Sequence, residues 1–166
     1  DEVSLTWGQL RDRVDALAGG LAELGVRKGD NVALMLSNRP EFHIADLAVM
    51  TLGATPFSIY GTFSPEQIEY VVSDAGARVA IVEQSLLANF LEARRSLPDL
   101  EHVIVVGDQP AAEYRSFDDL LGDGVPELAP HETGRDSPAF WLYSSGSTGA
   151  PKGCVHLHHD MVVCAE

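Results

Sequence analysis

The sequence predicts an α/β fold, in which a mostly parallel sheet carries helices on both faces in a layered α/β/α arrangement. Short runs of branched apolar residues recur at Val32–Leu36, Val79–Val82 and Val103–Val106, and such runs are typical of strands buried on both faces. Longer segments with helical spacing and helix-capping residues separate these runs. Because helical crossovers join parallel strands, this alternation favours a parallel sheet.

The first helix is predicted from Trp7 to Leu24. Its apolar residues recur every three or four positions, which places them on one face of an amphipathic helix. Thr6 and Gln9 have the spacing of a capping box, and Gly25 is a typical stop. The apolar face consists of Trp7, Leu10, Val14, Leu17, Leu21 and Leu24.

The elements that follow, up to residue 106, alternate in the same way. Each helix begins at a proline or a capping residue and ends before a glycine or proline. In chain order we predict strand Val32–Leu36, helix Pro40–Leu52, strand Thr55–Ile59, a helix that Ser64 and Pro65 open and that stops before Gly76, strand Val79–Val82, a helix that Ser85 caps and that ends before Pro98, and strand Val103–Val106.

The segment from residue 107 to residue 136 has a different composition. Acidic residues dominate it, mixed with glycine and proline. Because such charge runs usually lie in solvent, we predict an acidic connecting segment here, with one short capped helix at Ser116–Leu121. The alternation then resumes with strands Ala139–Tyr143 and Cys154–Leu157 and a helix from about residue 159.

Residues 144–153, between the last two predicted strands, concentrate chemistry suited to binding an anion. They contain four hydroxyl groups, three glycines and one lysine. Glycines let backbone N–H groups approach an anion closely, hydroxyls donate hydrogen bonds, and the lysine adds a positive charge. We therefore predict a loop, between two inner strands of the sheet, that binds phosphate groups.

This loop differs from the ordinary nucleotide P-loop, G-x-x-x-x-G-K-[ST]. Pro151 stands at the second glycine position, and Gly153 follows Lys152 where the P-loop needs a hydroxyl. The segment after the loop also has the pattern of a strand and not of a helix. These departures exclude the GTPase and helicase classes.

Charge and composition exclude further classes of function. The chain has 166 residues and a formal net charge of −14, so it lacks the basic surface needed for non-specific nucleic-acid binding or a polybasic membrane anchor. No apolar run is long enough to form a transmembrane segment. The two cysteines fit a reducing compartment, so a cytoplasmic protein is expected, with peripheral membrane association left open.

A zinc site is an alternative use of the last predicted strand. Cys154, His156 and His158 alternate there, so they would share one face. However, the paired C-x-x-C spacing of common zinc sites is absent, and neighbouring positions on one strand rarely converge on one ion.

Residues 143–153 resemble the signature of the AMP-forming adenylating enzymes, [YF]-[ST]-S-G-[ST]-T-G-x-P-K-G, and satisfy every position. This superfamily includes acyl- and aryl-CoA ligases, firefly-type luciferases and the adenylation domains of peptide synthetases. Other stretches similar to the large domain of these ligases are Thr6–Leu10, Gly29–Asn38, Gly53–Pro56, Ser64–Ile68 and Asp74–Arg78. The amino-acid sequence of these stretches is most similar to that of bacterial long-chain fatty-acid–CoA ligases.

The resemblance implies an activity and a domain organisation. These enzymes convert a carboxylic acid and ATP to an acyl-adenylate and pyrophosphate, and a thiol, commonly coenzyme A, then takes the acyl group. ATP, Mg²⁺ and coenzyme A are the implied cofactors and co-substrates. Residues 1–166 would form part of the large N-terminal domain, and the adenine and ribose sites and the C-terminal lid domain would lie downstream, so that this piece alone would be inactive.

The resemblance also implies roles for single residues. Lys152 would be catalytic, by neutralising charge on the departing pyrophosphate. Ser144 would lie near Mg²⁺, and His158 would border the acyl pocket, its alternative being a surface histidine that caps a helix. The residues expected to hold the phosphates of ATP are Ser144, Ser145, Gly146, Ser147, Thr148, Gly149 and Lys152.

Two alternatives to a fatty-acyl ligase stay open. The parent enzyme could act on an aryl acid, because most of the acyl pocket would lie downstream. The chain could also be a non-catalytic α/β module that binds a nucleotide or a partner protein, a second copy in a homodimer included, because an exposed sheet edge favours association.

Overall fold

The structure, a computed structural model, describes residues 4–107, 113–122, 129–144 and 149–165. Helices and strands alternate as predicted. In chain order the elements are α1 (Trp7–Glu23), β1 (Asn31–Met35), α2 (Pro40–Thr51), β2 (Thr55–Ser58), α3 (Pro65–Ala75), β3 (Val79–Glu83), a 3₁₀ turn (Gln84–Leu86), α4 (Leu87–Arg94), β4 (His102–Val106), β5 (Arg115–Ser116), α5 (Phe117–Leu121), β6 (Pro138–Ser144), β7 (Lys152–Leu157) and α6 (His158–Ala165).

The strands form one seven-stranded sheet in the order β5-β4-β3-β1-β2-β6-β7. Neighbouring strands from β5 to β6 are parallel, and only β7 runs antiparallel, against β6. The prediction of a mostly parallel sheet is confirmed. The expectation that the phosphate loop joins two inner strands is wrong for β7, which forms an edge of the sheet in the described part of the chain.

Helices cover both faces of the sheet because alternate strand residues point to opposite sides. Ala33 and Met35 of β1 lie in one apolar cluster with the buried faces of α3 and α4. Val32 and Leu34 lie in the other cluster, with α1, α2 and Phe117 of α5. The predicted layered α/β/α arrangement is therefore confirmed.

Two of the predicted helix starts have the expected capping geometry. The Thr6 and Ser64 side chains each accept a hydrogen bond from the N3 backbone N–H, and the N3 glutamine accepts one from the cap backbone in return. The prediction that Ser85 caps a helix is wrong. Ser85 lies inside the 3₁₀ turn, its hydroxyl donates to Glu83 Oε1 at 2.9 Å, and α4 begins at Leu87 without a side-chain cap.

The acidic segment contributes more to the fold than a connection in solvent would. Arg115–Ser116 adds a two-residue parallel strand beside β4. Phe117, in the short helix predicted there, is buried at 1% exposure, and Leu120 packs against the same apolar cluster. The stretches 108–112 and 123–128 lie outside the described residues.

Among the described helices, none combines the length and the apolar character that crossing a membrane requires.

Candidate functional site

The signature residues form the connection of the β6–β7 hairpin. Ser144 pairs with Lys152, and Tyr143 pairs with Gly153, so these two pairs close the hairpin next to the loop. Gly149 has φ +107°, a backbone conformation that favours glycine. Ser145, Gly146, Ser147 and Thr148 lie outside the described residues, so their contacts with phosphate stay predictions.

Lys152 is the first residue of β7 and not part of the loop, because β7 begins two residues earlier than predicted. Directly paired residues of antiparallel strands point to the same face, so the Lys152 and Ser144 side chains lie side by side. Lys152 is exposed. The ion pairs found among the described residues involve arginine and histidine side chains and leave Lys152 without one. The contact of its ammonium group with phosphate stays a prediction.

Tyr143 holds the first arm of the hairpin to the helix layer. Its side chain is 1% exposed, and its ring packs against Phe57 and Trp141. Its hydroxyl donates a hydrogen bond of 2.8 Å to Oδ2 of Asp74 on α3. Burial, and then this hydrogen bond, raise the pKa of Tyr143 above its ordinary value, so the hydroxyl stays protonated and remains a donor.

Glycine at position 153 lets the second arm lie close to the same aromatic rings. A Cβ atom at Gly153 would lie 3.1 Å from Cε3 of Trp141 and 3.5 Å from Cε1 of Tyr143. The first distance is shorter than van der Waals contact between carbon atoms. Close packing across the hairpin therefore favours glycine at the last position of the signature.

Cys154 and His156 share the face of Lys152, as their alternation predicts. Cys154 Sγ lies 3.9 Å from Ser144 Oγ, and the His156 ring stacks on Phe140 with 4.8 Å between centroids. No group of three or more His, Cys, Asp or Glu side chains within the described ranges could hold a metal ion. The zinc alternative therefore gains no support from these residues.

Ser144 alone does not make a magnesium site. Mg²⁺ requires six oxygen ligands in octahedral geometry, usually with one or two carboxylates beside the phosphates. Ser144 offers one hydroxyl oxygen, and the described part of the chain brings no carboxylate cluster to it. The expected contact of Ser144 with Mg²⁺ stays a prediction.

His158 lies far from the loop. It is the first residue of α6, at the opposite end of β7 from Lys152, and six residues of strand span about 20 Å. Its backbone N–H donates to the Ser137 carbonyl at 3.1 Å. The structure therefore brings Ser144 and Lys152 together and does not bring His158 to them.

The cleft at His158 has a volume of about 470 Å³, and Thr133, Arg135, His159 and Val162 are among its lining residues. The neighbouring His159 is fixed by Nδ1, which lies 3.1 Å from the Arg135 carbonyl, and by Nε2, which lies 3.2 Å from Asp160 Oδ1. The role of His158 beside an acyl pocket stays a prediction.

Asp74 lies beside the hairpin, and its sequence pattern predicts no role there. It belongs to a stretch that resembles the ligases, yet nothing in the spacing of residues 74–78 indicates a contact with Tyr143. The two residues are 69 positions apart. Helical periodicity places Asp74 on the exposed side of α3, and only the fold brings β6 beside that side.

The family profile described as AMP-binding enzyme matches residues 1–166 of the chain. Benzoate–CoA ligase of Thauera aromatica is 36% identical over 167 residues, covering 100% of this chain and 31% of its own length. Acetyl-coenzyme A synthetase of Pseudoalteromonas translucida is 37% identical over 180 residues, covering 97% of this chain and 27% of its own length.

Among solved structures, an anthranilate CoA ligase in complex with anthranoyl-AMP superposes with a TM-score of 0.94 at 34% sequence identity, covering 97% of this chain and 31% of that one. The chain thus spans about a third of the length of the proteins it resembles. The similarity covers the sheet, both helix layers and the hairpin.

Proposed function

The chain belongs to the AMP-binding enzyme family, and from this premise we propose that the protein carrying it is an ATP-dependent acid–CoA ligase. ATP and coenzyme A are the usual substrates of ligases in this family. The observation that carries the proposal is the pairing of Ser144 with an exposed Lys152 at the mouth of the signature loop. A neighbouring hydroxyl and ammonium group support the proposal, because both can bind phosphate oxygens.

The proposed reaction has two steps, and both leaving groups carry charge. A carboxylate oxygen of the acid attacks the α-phosphorus of ATP, the bond to the β-phosphate breaks, and pyrophosphate leaves. The thiol of coenzyme A then attacks the acyl carbonyl carbon and AMP leaves, with the thiol proton passing to solvent. The role of Lys152 belongs to the first step, since an ammonium group stabilises charge that grows on the departing pyrophosphate.

For the substrate, we propose an aryl acid of the benzoate type. Support comes from the benzoate–CoA ligase, 36% identical over the full chain, and from the anthranilate CoA ligase with its TM-score of 0.94. The two proteins do not support the fatty-acid substrate that the sequence resemblance predicts. Because an acetyl-CoA synthetase has a similar sequence identity to this chain, short acids are also included in the test.

The first experiment measures acid-dependent ATP–pyrophosphate exchange by the full-length protein. Benzoate, anthranilate, acetate and a long-chain fatty acid are compared at equal ionic strength, with and without coenzyme A. Exchange that is fastest with the aryl acids supports the proposal. Exchange with the fatty acid alone would overturn the substrate class, and no exchange with any acid would overturn the ligase function in favour of a non-catalytic module.

The second experiment removes the ammonium group with Lys152→Ala. We expect a loss of adenylate formation of about 100-fold or more, the size found when one group that stabilises transition-state charge is removed. The matched control is Lys28→Ala, the only other lysine of the chain, whose Nζ donates to the Glu132 carbonyl at 3.2 Å. Unchanged exchange in Lys152→Ala would contradict the assigned role.

A further inference from the structure

One tyrosine connects both arms of the signature hairpin to the helix layer. Tyr143 is the residue before Ser144, and its ring lies against Gly153, the residue after Lys152. Its hydroxyl reaches α3 at the carboxylate of Asp74. Any movement of this ring would therefore change where the loop leaves β6 and where Lys152 starts β7.

A hydrogen bond adds a directional restraint to the packing of the Tyr143 ring. Phe57 and Trp141 contact Tyr143 with centroid distances of 5.8 Å and 6.3 Å, and the ring belongs to the buried apolar cluster that includes α3 and α4. Apolar contacts restrict the distance and angle of the hydroxyl group less sharply than a hydrogen bond does. The bond to Asp74 is the one that fixes the far end of the ring.

Asp74 has no other bond of this kind among the described residues. It is exposed near the end of α3, in an open groove that Glu66, Tyr70 and Ser73 also line. A buried hydroxyl that loses its acceptor must move toward water or stay unsatisfied, and either outcome is unfavourable. The structure of the hairpin therefore depends on a carboxylate that lies outside it.

We infer that Asp74 is a positioning residue for the phosphate loop, which acts through the Tyr143 hydroxyl to fix both arms of the β6–β7 hairpin. The role rests on the proposed function, because it is expressed as binding of ATP. Asp74 touches no reacting atom in this role. What it sets is the position of Ser144 and Lys152 relative to each other and to the sheet.

The test uses three single variants of the full-length protein. Asp74→Ala removes the acceptor, Tyr143→Phe removes the donor, and Asp74→Asn keeps an amide oxygen that still accepts. In ATP–pyrophosphate exchange we expect Asp74→Ala and Tyr143→Phe to raise the KM for ATP about 3- to 10-fold, the effect of losing one hydrogen bond. Asp74→Asn should stay within about twofold of the parent, and the KM for the acid should not change.

The double variant Asp74→Ala, Tyr143→Phe separates a shared bond from two independent effects. If the bond is the cause, the double variant is no worse than the worse single variant, because the second change removes nothing further. The control is Arg94→Met, which removes a part-buried hydrogen bond of 2.7 Å to the Leu97 carbonyl at the end of α4. Because α4 lies in the same helix layer as α3, this variant matches the location of Asp74 without touching the hairpin. It should leave both KM values unchanged.

Each contrary result has a distinct meaning. The positioning role is overturned if the KM for ATP of Asp74→Ala equals that of the parent protein. It is also overturned if Asp74→Asn raises the KM for ATP as much as Asp74→Ala does. Equal rises in the KM for ATP and for the acid would mean general loosening of the fold and would overturn the role too.

If the parent protein shows no exchange with any acid, the proposed function fails, and the role is then decided by amide hydrogen exchange at Gly149 and Gly153. Faster exchange there in Asp74→Ala than in Arg94→Met supports the role, and equal exchange overturns it.

Discussion

The carboxyl group of Asp46, on α2, shows how a single residue can lower the stability of the fold at neutral pH. Burial raises the pKa of Asp46 from 3.8 to about 6, with a small opposing effect of His43. The described residues offer its carboxyl no hydrogen bond to replace the lost water. The charged form is therefore disfavoured in the folded state.

The sign of the pH dependence follows from the raised pKa. Well below pH 3.8 the carboxyl is protonated in both the folded and the unfolded state and costs nothing. Between about pH 3.8 and 6 the unfolded state gives up the proton while the folded state keeps it, so stability falls across this window, and the loss is complete above the folded pKa. Asp46→Asn should therefore raise the free energy of unfolding by about 1 kcal/mol at pH 7.5, allowing for partial contact with solvent. Urea unfolding at pH 7.5 and at pH 4 measures this, and the gain at the lower pH should be only a small fraction of the gain at pH 7.5.

Asp12→Asn is the matched control for Asp46→Asn. It removes the same charge from the exposed side of α1, where the carboxyl keeps its water on folding. An equal gain from both variants would mean that total charge, and not burial of Asp46, sets the effect.

At the scale of elements, the sequence predicts a helix start correctly where both residues of the cap are close together in the chain. It fails where the capping residue is bound instead by a residue at the end of a strand. Ser64 and Gln67 are three residues apart, so their reciprocal bonds are written in the sequence. Ser85 is also a serine that precedes a helix, but its hydroxyl donates a hydrogen bond to Glu83 instead of capping the helix. Glu83 itself is bound by Ser37 from the loop after β1, a contact that no local pattern reveals.

This difference leads to a comparison of two serine variants. Ser64→Ala removes a helix cap and should lower the free energy of unfolding by about 1 kcal/mol. Ser85→Ala removes only a partly exposed hydrogen bond and should cost less than about half as much. Urea unfolding of both variants under the same conditions measures the contrast. Equal losses would contradict the assignment of Ser64, and not Ser85, as a cap.

In the candidate site, too, the features that depend on local sequence could be predicted, and those that depend on contacts between distant residues could not. The residues expected to bind phosphate, 144–153, are contiguous, so the sequence alone predicts that loop. The anchor of that hairpin is not contiguous, because six further elements, from β3 to α5, lie between Asp74 on α3 and Tyr143 on β6 in the chain. The position of β7 at the sheet edge was missed for the same reason: strand order depends on distant pairings and not on periodicity.

At the scale of the whole molecule, the charge of the chain opposes its compactness. Eleven basic residues face 25 acidic ones, which gives the formal net charge of −14. The ion pairs among the described residues are mostly at the surface, where each contributes little. Repulsion between unpaired carboxylates should therefore dominate the electrostatics of folding.

Salt should consequently stabilise the 166-residue chain. Raising sodium chloride from about 10 mM to about 300 mM shortens the screening length from about 30 Å to less than 10 Å, which weakens repulsion across the molecule more than contacts between neighbouring charges. We expect the Tm in thermal unfolding to rise with salt at pH 7.5. A fall in Tm would mean that the ion pairs outweigh the repulsion.

The place of Lys152 on the outermost strand has a consequence for the chemistry of the site. An inner strand is held from both sides, whereas β7 is held by β6 alone in the described part of the sheet. Its free side can take up a further strand or yield to thermal motion. A segment that pairs with this edge of β7 would change the backbone orientation at Lys152. In the proposed reaction, that change would set how closely the ammonium group stays in contact with the departing pyrophosphate.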